Sequence, residues 1–167
     1  MAVHAALTGH LVLSTLHTND AIGAVYRLLD MGIADYLLAA ALRGVLAQRL
    51  LRRPCRYCGE RRFATAAELQ YLGRRADERL EVVQGHGCEH CHGTGYQGRL
   101  ALHELVTVDK RMQQLLLNGA DEAELLQEAR RQGWRSLYAD GVAKVLQGAT
   151  TVEELWRVGI TGEAAYA

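Results

Sequence analysis

The stretch Leu7-Thr8-Gly9-His10-Leu11-Val12-Leu13-Ser14-Thr15-Leu16-His17-Thr18-Asn19-Asp20-Ala21 decides the fold class. Its middle, Leu11 to Thr15, is an apolar run too short for most helices and typical of a buried strand. Asn19 or Asp20 then offers an N-cap to a helix. Its apolar positions Ala21, Ile22, Val25, Leu28 and Leu29 recur at helical spacing before Gly32 stops it. In open α/β sheets ligands bind just beyond such a strand. There His17, Thr18 and Asn19 are neutral donors suited to a terminal phosphate or an attacking water. A histidine in that place is more commonly a cap or a packing residue, and His10, ahead of the strand, has less to recommend it by itself, so both readings stand on residue type alone.

Outward from this stretch, the first 51 residues read as alternating helix and strand. A further helix is predicted from Asp35 to about Leu51, apolar nearly all round at Tyr36, Leu37, Leu38, Leu42, Val45 and Leu46, and hence deeply buried. From Arg52 to Gly98 the texture changes: this part holds the only proline, both cysteine pairs and five glycines after Leu80. It reads as an inserted subdomain with a short helix over Ala66 to Leu72 and a short strand over Leu80 to Gln84. The remainder, residues 99–167, begins with a strand over Leu100 to Val106. Four helical segments follow, at about 109–118, 121–132, 136–147 and 151–158, parted by Gly119, Gly133 and Gly148.

The cysteine pairs are Cys55-Arg56-Tyr57-Cys58 and Cys88-Glu89-His90-Cys91, with 29 residues between them. Two residues between cysteines let a tight turn aim both thiolates at one ion, and two such turns complete a tetrahedron around zinc. A closed four-thiolate shell leaves no position for water, so the metal is expected to be structural. His86, His90 and His92 crowd the second pair and offer a substitute ligand. The run Cys88 to Gly95 also has the CxxCxGxG form repeated in the zinc region of Hsp40-type co-chaperones, which leaves a non-enzymatic zinc-binding interaction module as the competing reading. Here the form occurs once, and Cys55 to Arg62 does not fit it. Such a module needs aromatic or basic residues clustered around the metal. Arg52, Arg53, Arg56, Arg61 and Arg62 form a modest basic cluster, with Tyr57 and Phe63 beside it, and a solvated arginine face explains it equally well.

Bulk properties exclude several classes. In 167 residues, an apolar fraction of 49% describes a folded chain and not a disordered one. The 19 basic residues balance the 19 acidic ones, so no net field points to nucleic acid or an anionic membrane. No apolar run reaches the roughly 18 residues that cross a bilayer, and the start lacks an export leader, so a cytoplasmic location with reduced thiols is expected.

Residues Thr8 to Val12 with Ser14 to Ala21 resemble the histidine box of the hexameric type II secretion and type IV pilus assembly ATPases. The resemblance continues through Ala47-Gln48-Arg49-Leu50, Gly95-Tyr96-Gln97-Gly98-Arg99, His103-Glu104-Leu105 and the segment from Gly141 to Leu155 with Arg157-Val158, in consistent order over almost the whole chain. It implies the carboxy-terminal part of a RecA-like α/β domain (residues 1–51), an inserted four-cysteine zinc subdomain (52–98) and a strand with a helical C-terminal portion (99–167). It also implies that His10 and His17 belong to the catalytic motif near the γ-phosphate. Thr18, Asn19, Arg27, Gln48 and Arg49 are the accompanying nucleotide-site candidates, with a surface or interface ion pair as the alternative for the last three. The metal ligands implied are Cys55, Cys58, Cys88 and Cys91. The parent protein so implied is a homo-hexamer that uses ATP and Mg2+, sits at the inner membrane through platform and assembly proteins, and binds no nucleic acid. The insert distinguishes the chain from pilus retraction ATPases, and its compact spacing is closer to the type II secretion members than to many pilus assembly ones. Type IV pilus assembly is the alternative within the family.

Phosphoryl transfer needs a cradle of backbone amides, a lysine and a magnesium site. Asp109 precedes Lys110 and Ala143 precedes Lys144, so neither lysine stands in a Gly-Lys phosphate loop. The chain is therefore expected to be the part of such an ATPase downstream of its phosphate loop and acidic magnesium-site segment, and inactive alone. An exposed sheet edge that associates or destabilises is a further expectation.

Overall fold

The computed structural model describes residues 2–160; Met1 and residues 161–167, at the ends of the first and third expected sections, lie outside the described residues. The chain forms two compact units that interleave in sequence. One is built from residues up to Ala47 together with Glu104–Arg135, and the other from Gln48–His103 together with the chain from Ser136 onward.

In the first unit, α1 (Ala2–Leu7) leads into residues 10–18, which adopt no regular structure. This corrects the strand expected over Leu11 to Thr15. Leu11 and Leu13 are each 87% exposed. A strand exists only where a neighbour takes up its amides and carbonyls. Among the described residues no strand takes it as a partner: β1 (Gly44–Pro54) pairs with β4 (Tyr96–Thr107) and β2 (Gly59–Phe63) with β3 (Glu81–Gly85), each in a two-stranded sheet. The helix after the stretch forms as expected. Asp20 caps α2 (Ala21–Asp30), its Oδ1 accepting from the Gly23 amide at 2.6 Å. Ala21, Ile22, Ala24 and Val25 are buried.

The long helix expected from Asp35 to Leu51 is also corrected. α3 (Asp35–Ala41) ends where Leu42 turns extended, and the chain continues as β1. Leucine-rich sequence satisfies both periods. The partner strand decides, because it takes every second residue: Leu46, Gln48 and Leu50 are exposed, while Val45, Ala47 and Leu51 turn to the covered side. Tyr36 is exposed as well, so this segment is not deeply buried. The β1 and β4 segments pair within each unit. The Val108 amide donates to the Arg43 carbonyl at 3.0 Å at one end and the Cys55 amide to the Gly95 carbonyl at 2.8 Å at the other, so the strands run antiparallel. Along β4, Leu102, Glu104 and Val106 are buried and His103, Leu105 and Thr107 exposed. The first unit closes with α5 (Lys110–Leu117) and α6 (Glu122–Arg131). There the buried Glu128 carboxylate meets Arg111 at 2.9 Å and Arg131 at 2.6 Å.

The second unit holds the β2–β3 pair, antiparallel with Gly59 opposite Gly85 and Phe63 opposite Glu81. Beside it stand α4 (Ala66–Tyr71), α7 (Leu137–Leu146) and α8 (Val152–Arg157), close to the predicted boundaries. Two buried carboxylates brace it. Glu68 meets Arg62 at 2.6 Å, and Glu154 accepts from the Arg52 amide at 2.7 Å while bridging the Arg52 and Arg157 guanidiniums. Helices α7 and α8 come close at Gly141, where a Cβ would lie 2.6 Å from Leu155.

Candidate metal centre and histidine segment

Each cysteine pair is shaped by its own turn. Between β1 and β2 the Gly59 amide donates to the Cys55 carbonyl at 2.7 Å, and a Cβ at Gly59 would stand just 2.7 Å from that oxygen, so the tight turn admits only glycine there. The second turn is the 3-10 segment Glu89–Cys91. It ends at His92 with φ +52, and the Gly93 amide returns to the Cys88 carbonyl at 2.9 Å. Gly95 joins the two turns: its amide donates to Cys91 Sγ at 3.2 Å and its carbonyl accepts from the Cys55 amide at 2.8 Å. The backbones of Gly85 and Gly95 touch so closely that a Cβ on Gly85 would fall 2.0 Å from the Gly95 oxygen.

The result is four sulfurs within 4.8 Å of one another. The Cys55–Cys88 separation is 3.9 Å, and Cys58–Cys91 and Cys88–Cys91 are each 3.7 Å. A tetrahedron with metal–sulfur bonds of ~2.3 Å has an edge of ~3.8 Å, so the cluster fits one zinc-sized ion. No disulfide competes for these four thiols. Burial pushes the Cys91 thiol up, but the amides of Cys88 and Gly95 outweigh it and bring it down to about 6, whereas burial pushes Cys58 up to about 12. One thiolate thus forms readily, and a cation held by the four sulfurs would favour ionisation of the others. The nearby histidines are not in the ligand cluster. His90 stacks on Tyr57 with ring centroids 3.9 Å apart, His86 approaches Glu60 at 3.4 Å, and His92 is exposed in the turn.

The nucleotide-site candidates are placed differently. His10 is exposed, with its Nδ1 3.1 Å from the Thr8 hydroxyl. His17 and Asn19 are exposed on the irregular stretch, and the half-buried Thr18 hydroxyl donates to the Asp20 carbonyl at 3.1 Å. Arg27 is exposed on α2. Gln48 and the half-buried Arg49 lie on β1 in the second unit, where Arg49 donates to the Gln48 carbonyl at 3.2 Å. The structure therefore brings the four cysteines into one site and divides the nucleotide-site candidates between the two units, exposed except for the half-buried Thr18 and Arg49. Sequence reasoning named Gly95 and Glu104 only as parts of longer motifs. Gly95 carries the contact between the cysteine turns. Glu104, at 1% exposure, accepts from the Ala21 amide at 2.8 Å. The signal for Glu104 was a carboxylate at an inward position of an alternating strand.

No helix among the described residues is long and apolar enough to cross a membrane. A profile of the family described as Type II/IV secretion system protein matches residues 1–157. The chain is 49% identical to the Type II secretion system protein E of Pseudomonas aeruginosa over 158 residues, covering 95% of this chain and 31% of that protein. It is 46% identical to the Type IV pilus assembly ATPase PilB of Thermus thermophilus, covering 93% of this chain and 18% of the relative. The chain thus spans about a third or less of these relatives' lengths. Among solved structures, the pilus retraction motor PilT with bound ADP superposes with a TM-score of 0.61 at 21% identity, over 98% of this chain and 36% of the motor. At that identity the likeness speaks for the fold, which is the RecA-like α/β class expected from the sequence.

Proposed function

This chain belongs to the type II/IV secretion system protein family, and from that premise we propose that it is the carboxy-terminal part of the ATPase that powers type II protein secretion. The observation that carries this reading is the 49% identity, over 95% of the chain, with a protein named for the type II system. The converging sulfurs support it, since the four-cysteine insert is the feature that the resemblance ties to secretion and pilus assembly members.

In this reading the complete protein is a cytoplasmic homo-hexamer, peripheral at the inner membrane through the platform and assembly proteins it drives. It hydrolyses ATP with Mg2+ held by parts of the protein outside this chain. His10 and His17 act beside the γ-phosphate, Thr18 and Asn19 donate to phosphate or water, and Arg27, Gln48 and Arg49 complete the nucleotide environment. Cys55, Cys58, Cys88 and Cys91 hold a structural zinc, which supplies a cross-link to a segment too small for a core of its own. The subdomain so stiffened is a docking surface for the inner-membrane partners. The 167-residue polypeptide alone neither binds ATP tightly nor turns it over, because the phosphate cradle requires a Gly-Lys loop that its sequence does not contain.

An exchange experiment tests the assignment. Residues 1–157 are substituted for the matching segment of the Pseudomonas aeruginosa type II protein and, separately, of the Thermus PilB. Restored ATP turnover and protein secretion in the first chimera is the expected result. Restored piliation with no restored secretion transfers the assignment to type IV pilus assembly, and two chimeras that fold but neither hydrolyse ATP nor restore either process refute it.

A further inference from the structure

We propose that Glu104 is a positioning residue for the histidine segment: from β4, its carboxylate holds the first amide of α2 and so fixes the point from which His17, Thr18 and Asn19 project. The proposal rests on the reading that this segment works at the nucleotide.

The argument begins with the unpaired amides at a helix start. The first turn of α2 has donors without intrahelical partners, and a carboxylate placed there also meets the favourable end of the helix dipole. Asp20 supplies the ordinary local answer by accepting from Gly23. Glu104 supplies a second acceptor from 83 residues away, at 2.8 Å from the Ala21 nitrogen. Both partners are buried, Ala21 at 0% and Glu104 at 1% exposure. Burying a carboxylate is costly unless it is hydrogen-bonded, and Val106, at the next inward position of β4, is apolar. A local cap shapes the helix start but moves with it, whereas a contact from a paired strand fixes where that start lies within the unit.

That distinction matters because nothing regular holds the other side. Residues 10–18 have no helix or strand, and Leu11 and Leu13 are exposed. The first buried residue after His17 is Ala21, four residues on, its amide held by Glu104, with Thr18 tied to Asp20 in between. With at most ~3.5 Å per residue, His17 cannot stray more than ~14 Å from that anchor. Loss of the anchor releases the segment from its carboxyl side.

The test uses the complete ATPase with Glu104→Ala, Glu104→Gln, His17→Ala and the double variant Glu104→Ala/His17→Ala. Glu104→Ala is expected to lower kcat roughly ten- to hundredfold with a smaller change in the KM for ATP, as misplacement of a reacting group does. Amide exchange at residues 18–25 should rise in it. Glu104→Gln, which retains an oxygen acceptor, is expected to recover most of the loss. Since both residues act through one placement, the double variant should be no slower than His17→Ala. Additive losses overturn the proposal, as does a Glu104→Ala protein with ordinary kcat. Should Glu104→Ala fail to fold, Glu104→Gln carries the test. It is expected to keep both the protection at 18–25 and kcat, and a fall in either overturns the proposal. A His17→Ala protein with unchanged kcat sinks the nucleotide reading itself, a failure separable from that of Glu104 because amide exchange still reports whether Glu104 holds the segment.

Discussion

The four-cysteine turns and the histidine segment place their polar side chains by opposite means. The cysteines are brought together by short-range geometry: two tight turns, glycines where backbones touch, and one peptide at Gly95 that contacts both halves. The histidine segment has no such internal framework. Leu11 and Leu13 are bare, its histidines are exposed, and it is tied at its carboxyl end to a helix cap and to Glu104. A cluster made of turns carries its own geometry, while an irregular segment acquires geometry only from the elements packed around it.

The comparison can be broken most severely at a sulfur. Cys91→Ser is expected to abolish stoichiometric metal binding and to destabilise the second unit by more than roughly 3 kcal/mol, since metal binding and folding are coupled in such sites. Elemental analysis and thermal unfolding read both effects, and a metal-replete serine variant would show that the cluster is not the ligand set. Next in size is Gly85→Ala. Its Cβ would overlap the Gly95 carbonyl, at 2.0 Å, so a loss of about 3 kcal/mol with weakened metal retention is expected in denaturant titrations. An unaffected midpoint would mean that the cluster does not depend on close glycine packing.

A smaller effect is expected at the brace beside the first cysteine turn. Glu154→Ala removes the acceptor of the Arg52 amide and of two guanidiniums, for about 2 kcal/mol. Burial opposes ionisation of Glu154, but Arg157 and Arg52 bring it down to about 2, and Arg62 does the same for Glu68. Both carboxylates hold protons less tightly folded than unfolded. Their contribution is therefore fully present above the ordinary value of 4.5 and fades as pH falls toward 2. Acid unfolding of the wild type and of Glu154→Ala should accordingly converge near the bottom of that window, and parallel curves would contradict the assignment. The smallest effect is expected at the other region. Leu13→Asp, at a side chain 87% exposed, should leave the stability of this chain within about 0.5 kcal/mol. A large loss would show that the leucines are packed in solution and erase the contrast.

Legibility followed the same division. The cysteine spacing pointed to one site because two residues between thiols set a turn with little outside help. The four C-terminal helices and α2 were readable from caps and glycine stops, as Asp20, Asp109, Asp121, Ser136 and Thr151 show. Leu11 to Thr15 misled because an apolar run reports a tendency to be buried, and burial needs a neighbour. Leu42 to Leu51 misled because its leucines fit both periods, and only the pairing with β4 selects period two.

The amino-acid sequence by itself thus determined the two cysteine turns, the approximate bounds of α2 and of the four C-terminal helices, and the family, through turn spacing, caps, glycine stops and motifs that are each short in the chain. The tertiary structure alone decided that β1 is a strand, that Gly95 joins the two cysteine turns, and that Glu104 reaches Ala21. Each of those rests on a hydrogen-bond partner distant along the chain, and a backbone amide carries no mark in the sequence of which acceptor will take it.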